Sequence, residues 1–287
     1  MYRAHFAWGQ NYHSPGGRPV GALHGYLDMT TRLLVNRRPG QLVHAYDHEW
    51  RPVARTDIYA GYKSNRPPDP EGLPEQFTML RQVLDLAGMA QALTPGWEAE
   101  DTIGGLVKTS KPRDRIEIVS GDRDLIQLVR DPAVTLLFTI RGVSELLELD
   151  EAGVLEKYGV PASRYAEFAI LRGDASDALP GVRGVGEKTA RELVNAYGSL
   201  DELLEDAESN EPRPGPLKGK PALRARLRES REYVAAMLRL VPVNADAPLD
   251  RWEGERDDAT LTELAEELGI KGPVTRLRAA LDSVRSR

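Results

Sequence analysis

Residues 173–190, GDASDALPGVRGVGEKTA, leave the backbone little choice. Gly173, Pro180, Gly181, Gly184 and Gly186 would each weaken a regular helix or strand, so this stretch must be a turn-rich connection. Asp174 and Asp177 stand at its head, and Glu187-Lys188-Thr189-Ala190 closes it as the polar start of a helix. Two carboxylates suited to a hard cation thus abut a loop whose glycines let the backbone approach a phosphate. The helix beyond it offers that phosphate free N–H groups. A helix–loop–helix of this kind grips a duplex backbone without reading bases, with Gly184, Gly186, Lys188 and Thr189 as the contacting positions. A glycine pair before a helix is also a common plain turn; the flanking GDASDALPGV makes it specific.

The chain around this stretch has 287 residues, 41% of them hydrophobic, enough for two domains with real cores. No apolar run reaches the roughly 18 residues that span a membrane, and MYRAHFAWGQNYH lacks the apolar segment of a secretory signal. A cytoplasmic location without membrane partners is expected. There is no cysteine, which excludes disulfides and thiolate metal sites and leaves hard, oxygen-ligated ions such as magnesium or manganese. The net charge of −6 argues superficially against nucleic acid. The charge is unevenly spread, however: acids gather at 98–101 and 122–124, bases between Arg213 and Arg231. Acids neutralised by bound metal leave room for a phosphate-binding face.

In chain order, helices are expected at 2–7, 20–34, 77–87, 96–107 and 124–129, and strands at 42–46, 90–93, 115–120, 134–139 and 144–149. The alternation predicts an α/β fold with a mostly parallel, doubly wound sheet, whose sites form beyond the carboxyl ends of the strands. Asp47, Asp122 and Asp124 each follow a strand at that end. The Pro- and Gly-rich segment 58–77 reads as an exposed, mobile loop. Beyond Leu155 strands disappear, and helices are expected at 151–158, 163–172, 187–197, 200–206, 222–239 and 259–268. Residues 209–221 read as a flexible or disordered loop. The division is a domain over 1–160 and an all-helical one over 161–287.

Asp47, Glu98, Glu100, Asp101, Asp122, Asp124, Asp174 and Asp177 stand out as a set. Each alone has an ordinary reading as a turn residue or a helix cap favoured by the macrodipole. Converging in one cleft they would repel strongly unless cations held them, and two divalent ions about 4 Å apart would suit phosphodiester hydrolysis. In this scheme Asp47, Glu98, Glu100 and Asp101 hold one ion, and Asp122, Asp124, Asp174 and Asp177 hold or orient the second. Lys63 and Arg66, in YKSNRP, read as a phosphate clamp or as plain surface. Tyr2, Tyr59 and Tyr62 can stack on bases or simply pack. The basic run 213–231 is either a solvated helix face or a further DNA contact.

The motifs AYD at 45–47, YKSNRP at 62–67, GWEAEDTIG at 96–104, SGDRDLIQLV at 120–129 and GDASDALPGVRGVGEKTA at 173–190 together resemble the bacterial 5′-3′ exonuclease and flap endonuclease family. This is the kind found at the N-terminus of DNA polymerase I. The resemblance runs from Tyr2 to about Leu249, and with no polymerase following, the chain is similar to the free-standing members. It implies a PIN-like α/β nuclease domain with a helix-three-turn-helix DNA-binding domain, two Mg2+ or Mn2+ ions, and cleavage of DNA at 5′ flaps and ends, with a polymerase acting in trans. It implies that Lys63 and Arg66 contact the scissile phosphate, and that backbone carbonyls around Gly181, Val182, Gly184 and Gly186 bind potassium. The sequence departs from the family pattern in three places. An apolar strand ending in Asp usually precedes the YRA element, where here only Met1 stands before Tyr2. Glu100 replaces the usual Asp, and Ala178 the usual Asn. The lost N-terminal Asp raises one rival expectation, a non-catalytic DNA-structure-binding paralogue; the α/β acid cleft raises another, a PIN-type ribonuclease.

Overall fold

The computed structural model describes residues 1–8, 12–211 and 213–285; Pro212, within the expected flexible loop, lies outside them. The first half carries α1 (Tyr2–Trp8), α2 (Gly21–Arg37), β1 (Val43–Tyr46), α3 (Val53–Ile58), α4 (Leu73–Leu86), β2 (Ala90–Leu93) and α5 (Ala99–Lys108). It continues with β3 (Ile116–Ser120), a 3-10 turn at Asp124–Leu128, β4 (Val134–Arg141) and β5 (Glu145–Leu149). The helical half comes next, with α6 (Glu151–Tyr158), α7 (Tyr165–Arg172), α8 (Glu187–Ala196), α9 (Leu200–Glu208), α10 (Pro221–Glu229) and α11 (Arg231–Leu240). β6 (Asp250–Glu253), α12 (Asp258–Glu267) and α13 (Lys271–Arg285) end the chain.

The α/β architecture stands, but the described strands form two three-stranded sheets, ordered β1-β2-β6 and β3-β4-β5. Each joins one parallel pair to one antiparallel pair, where a mostly parallel sheet was expected. The reason for one antiparallel pair is local. Only Gly142 to Ser144 separate β4 from β5, far too few residues for the crossover that parallel strands require. β6 was not foreseen at all. Its sequence, DRWE, is charged at both ends, and it pairs with β2 at the sheet's edge, where such residues stay in water.

Two cores hold the molecule. One gathers Val20, just before α2, and Leu23 and Leu27 of α2 with Leu80, Val83 and Leu84 of α4, and with Leu261, Leu268, Ile270, Val274 and Leu277 from the chain's end. The return of α12 onto α4 and of α13 along α2 explains why the last residues are helical: their apolar stripe has a partner. The other core joins β3, β4 and the turn after β3 to the helical half through Ile118, Leu125, Ile126, Leu136, Phe168, Leu171 and Leu193. It also takes in Leu217, fully buried, while the N–H of Arg213 donates to Asp206 Oδ1 at 2.8 Å. The stretch 209–221 is thus anchored, unlike the loose loop expected. The expected helix 222–239 is two helices that meet at Ser230.

Candidate active site

Five acids converge beyond the carboxyl end of β3 and at the start of α5, in two overlapping groups. Within each of Glu98–Glu100–Asp101 and Glu100–Asp122–Asp124, one donor oxygen per residue lies within 4.8 Å of the others. Glu100 belongs to both. The local sequence explains this placement. Glu98 is the N-cap of α5, and Asp101, one turn on, accepts from the Glu98 N–H at 3.2 Å, which turns both carboxylates back over the helix start. Asp122 Oδ1 accepts the N–H of Asp124 at 3.0 Å, so the turn after β3 holds these two acids side by side.

The two groups differ in what neutralises them. Arg55 of α3 is only 2% exposed, and its guanidinium reaches Glu98, Glu100 at 2.5 Å and Asp101 at 2.9 Å. Lys63, also buried, is bonded through Nζ to Glu98, and the Tyr62 hydroxyl donates to Glu98 Oε2 at 2.7 Å. Asp101 Oδ1 also accepts the Asn244 N–H at 2.8 Å. No ion pair of the described residues involves Asp122 or Asp124. The protonation equilibria differ accordingly. Burial pushes Glu100 up to about 7 against the pull of Arg55, with Asp122 adding to the rise. Asp124 is held well above the usual carboxylate range by burial and by the like charges of Glu100 and Asp122. Arg55 was not singled out from the sequence; a lone arginine in RPVARTD has no periodicity to mark it as buried.

Asp174 and Asp177 lie nearby but outside both groups. Asp177 Oδ1 meets Arg66 at 2.8 Å; burial raises its carboxyl, partly offset by Lys63 and Arg66. Burial also works to raise Asp174, but hydrogen bonds from Ser176 and the charges of Arg123 and Arg172 outweigh it and leave the carboxyl below its ordinary value. The loop carrying both acids is tied to the YKSNRP segment. The Lys63 N–H donates to Asp177 O at 2.9 Å and Asn65 Nδ2 to Ala175 O at 2.8 Å. Two residues at this junction have left-handed backbones, Lys63 at φ 50° and Ala178 at φ 57°. Conformations this costly for side chains with a Cβ cluster at working sites.

Asp47 is not brought into either group: its Oδ1 caps α5 by accepting the Ala99 N–H at 2.8 Å. Tyr62 and Lys63 were expected on an exposed loop, and here the structure corrects the reading. Tyr62 is 2% exposed, wedged beside Arg55 and Glu98, and cannot stack on a base from there. Tyr2 remains at the surface, its hydroxyl bonded to Asp69. At the glycine loop, Gly184 turns with φ 75° and Gly186 caps α8 without a side-chain hydrogen bond; Lys188 is exposed and Thr189 half-buried.

Comparison with known proteins agrees over the whole chain. Residues 1–159 match the family described as 5′-3′ exonuclease, N-terminal resolvase-like domain, and residues 160–265 that described as 5′-3′ exonuclease, C-terminal SAM fold. The chain is similar to a 5′-3′ exonuclease of Mycobacterium tuberculosis, 38% identical over 99% of this chain and 95% of the relative. One from Streptomyces coelicolor is 39% identical over 98% and 96%. In fold it resembles the T5 D15 protein co-crystallized with metal ions, with TM-score 0.59, 18% identity and coverage of 90% and 91%. It also resembles the catalytic core of Rad2 in complex with DNA substrate, with TM-score 0.55, 19% identity and coverage of 92% and 85%. Matched along its length in sequence, and carrying its acids at the strand ends where such an enzyme needs them, the chain belongs to the 5′-3′ exonuclease family and is a nuclease.

Proposed function

We propose that this nuclease is a divalent-metal-dependent, structure-specific enzyme that hydrolyses DNA phosphodiesters at 5′ flaps and 5′ ends, in replication and repair. The observation that carries the reading is the acidic group Glu100–Asp122–Asp124, crowded within 4.8 Å and lacking an ion-pair partner of its own on Asp122 and Asp124 among the described residues. Carboxylates alone, with no histidine or cysteine among them, fit Mg2+ or Mn2+. When bound, such an ion polarises the phosphodiester and lowers the pKa of an attacking water.

Glu100, Asp122 and Asp124 would hold one ion, and Asp174 and Asp177 would hold or orient a second. Glu98 and Asp101 fix Arg55 and Lys63, and so keep Glu100 turned toward the turn after β3. Asp47 steadies the start of α5. Arg66, 38% exposed, has donors to spare for the scissile phosphate, and Lys63 would join it by turning from Glu98. Gly184, Gly186, Lys188 and Thr189 would grip the duplex, with Tyr2 near the strand, and carbonyls between Gly181 and Gly186 would take a potassium ion. The division of labour falls near residue 160, nuclease before it and duplex binding after it. The setting we infer is the cytoplasm, with a polymerase supplied in trans; no helix of the described residues is long and apolar enough to cross a membrane. The non-catalytic alternative is disfavoured by the nuclease relatives matched along the whole chain.

The test is a labelled 5′-flap duplex incubated with the protein, with and without Mn2+. Cleavage should require the metal and leave 5′-phosphates. Asp122→Ala with Asp124→Ala should lower the rate by about 1000-fold or more while flap binding persists. Undiminished cleavage by that variant would remove the mechanism. Cutting of RNA alone would assign the site to a ribonuclease.

A further inference from the structure

We infer that the open cavity between the acidic cluster and the glycine loop is a subsite for one phosphate of the bound strand, with Arg123 and Arg172 as its ligands. This rests on nucleic acid being the substrate. The cavity has a volume of about 620 Å³ and is lined by Arg123, Arg172, Glu187 and residues of the loop 173–180, Asp174 among them.

A guanidinium carries five N–H groups, and few of those in this cavity are spent. Arg123 gives one to Asp174 Oδ2 at 3.4 Å, a long contact, and its side chain is 43% exposed. Arg172 gives Nε to Gly173 O at 3.2 Å and otherwise stands 3.7 Å from the same Asp174 oxygen. Neither forms the two-pronged pair that arginine makes with a carboxylate it is built to hold. The other oxygen of Asp174 is already committed to the N–H of Ser176 at 2.9 Å and to its hydroxyl. Most of the donors on both arginines therefore lack an acceptor among the described residues.

These arginines are also held in place. Arg172 ends α7, is 15% exposed, and lies 4.9 Å over the Phe168 ring, so little side-chain entropy is left to lose. Arg123 sits between Asp122 and Asp124, so whatever it grips lies next to the acids. Gly173, which lines the cavity, crosses close to the returning loop: a Cβ there would stand 2.7 Å from Leu179 O.

Asp174 and Glu187 at the rim balance the two positive charges, although Glu187 is already engaged by Arg191 at 2.9 Å. The site is accordingly too nearly neutral to retain free phosphate. It takes a phosphate delivered by a strand anchored elsewhere, either an internal phosphodiester or a terminal 5′-phosphate.

The experiment measures binding of a labelled 5′-flap duplex in EDTA against salt concentration, for the wild type, Arg123→Gln, Arg172→Gln and Arg123→Lys. Each glutamine variant should reduce the slope of log K against log salt, and the two changes together should come to about 0.9, the share of the one phosphate contact they divide. Arg123→Lys should restore most of it. A purely structural role would weaken binding without changing the slope, and that result overturns the subsite. Thermal melts identify any variant that fails to fold; Arg123, being half exposed, carries the test if Arg172→Gln does not fold. Failure of the wild type to bind the duplex at all would instead indict the DNA reading. Repeating the series on 5′-hydroxyl and 5′-phosphate ends separates the sources. A slope change seen only with the phosphorylated end identifies the terminal group, and one seen with both identifies an internal phosphodiester.

Discussion

The two acidic groups share Glu100 yet solve the same electrostatic problem differently. Glu98–Glu100–Asp101 carries its own cations, Arg55 and Lys63, both nearly sealed from water. In Glu100–Asp122–Asp124 only Glu100 has such a partner, Arg55; Asp122 and Asp124 have no ion pair among the described residues, and Glu100 and Asp124 hold their protons above the ordinary range. The lesson is that a cluster of carboxylates is not by itself a metal site. Where arginine and lysine already balance the charge, the acids position one another. Where they do not, a cation from solution has the most to contribute.

Arg55→Gln attacks the neutralised group and should have the largest effect. Removing one partner of a buried ion pair leaves the others uncompensated, so unfolding by denaturant should show a loss of about 3–5 kcal/mol. A loss smaller than the error of the extrapolation would mean that the first group does not depend on its resident cation. Asp124→Asn tests the other group and should go the opposite way. In metal-free buffer at pH 8 it should stabilise by roughly 1–2 kcal/mol, by removing a carboxyl that folding must either leave charged beside like charges or protonate at a cost. Mn2+ should then stabilise the wild type but not the variant.

The pH dependence sharpens this. Glu100 moves from 4.5 to about 7 on folding, so the folded chain binds the extra proton and metal-free stability should fall as pH rises from about 4.5 to 7. Glu100→Gln should flatten that part of the curve; an unchanged slope would assign it elsewhere. The smallest effect concerns Ala178, left-handed at φ 57° on the loop that carries Asp174 and Asp177. Ala178→Gly should stabilise by about 0.5–1 kcal/mol in thermal melts, since glycine relieves the Cβ clash. A destabilised variant would show that the methyl packs more than it strains.

Much of this was legible in the sequence because the relevant signals are local. AQAL at 90–93 is bounded by turn residues and is a strand over those same residues. GDRD after a β-branched run puts Asp122 and Asp124 at a strand end, where they are found. The features that could not be read depend on residues far apart in the chain. Arg55 is buried only because Glu98, Glu100 and Asp101 fold over it, and Tyr62 and Lys63 leave the surface for the same acids. No helix was expected beyond 268, and α13 forms there packed along α2, far away in the sequence. β6 could not be read locally either, because it pairs with β2 across more than 150 residues of chain.

That late pairing bears on how the protein can be shortened. The recognisable motifs end before residue 250, and a designer might trim the remaining residues as a tail. Yet β6 completes the first sheet, and Leu261, Leu268, Ile270, Val274, Leu277 and Leu281 fill the same interior as α2 and α4. Each such side chain contributes about 1.5–3 kcal/mol by leaving water, so their sum rivals the whole margin by which a domain stays folded. A version cut after Leu249 would not be a leaner nuclease; it would be a molecule with its flank laid open, prone to stick to its neighbours before it ever met a substrate.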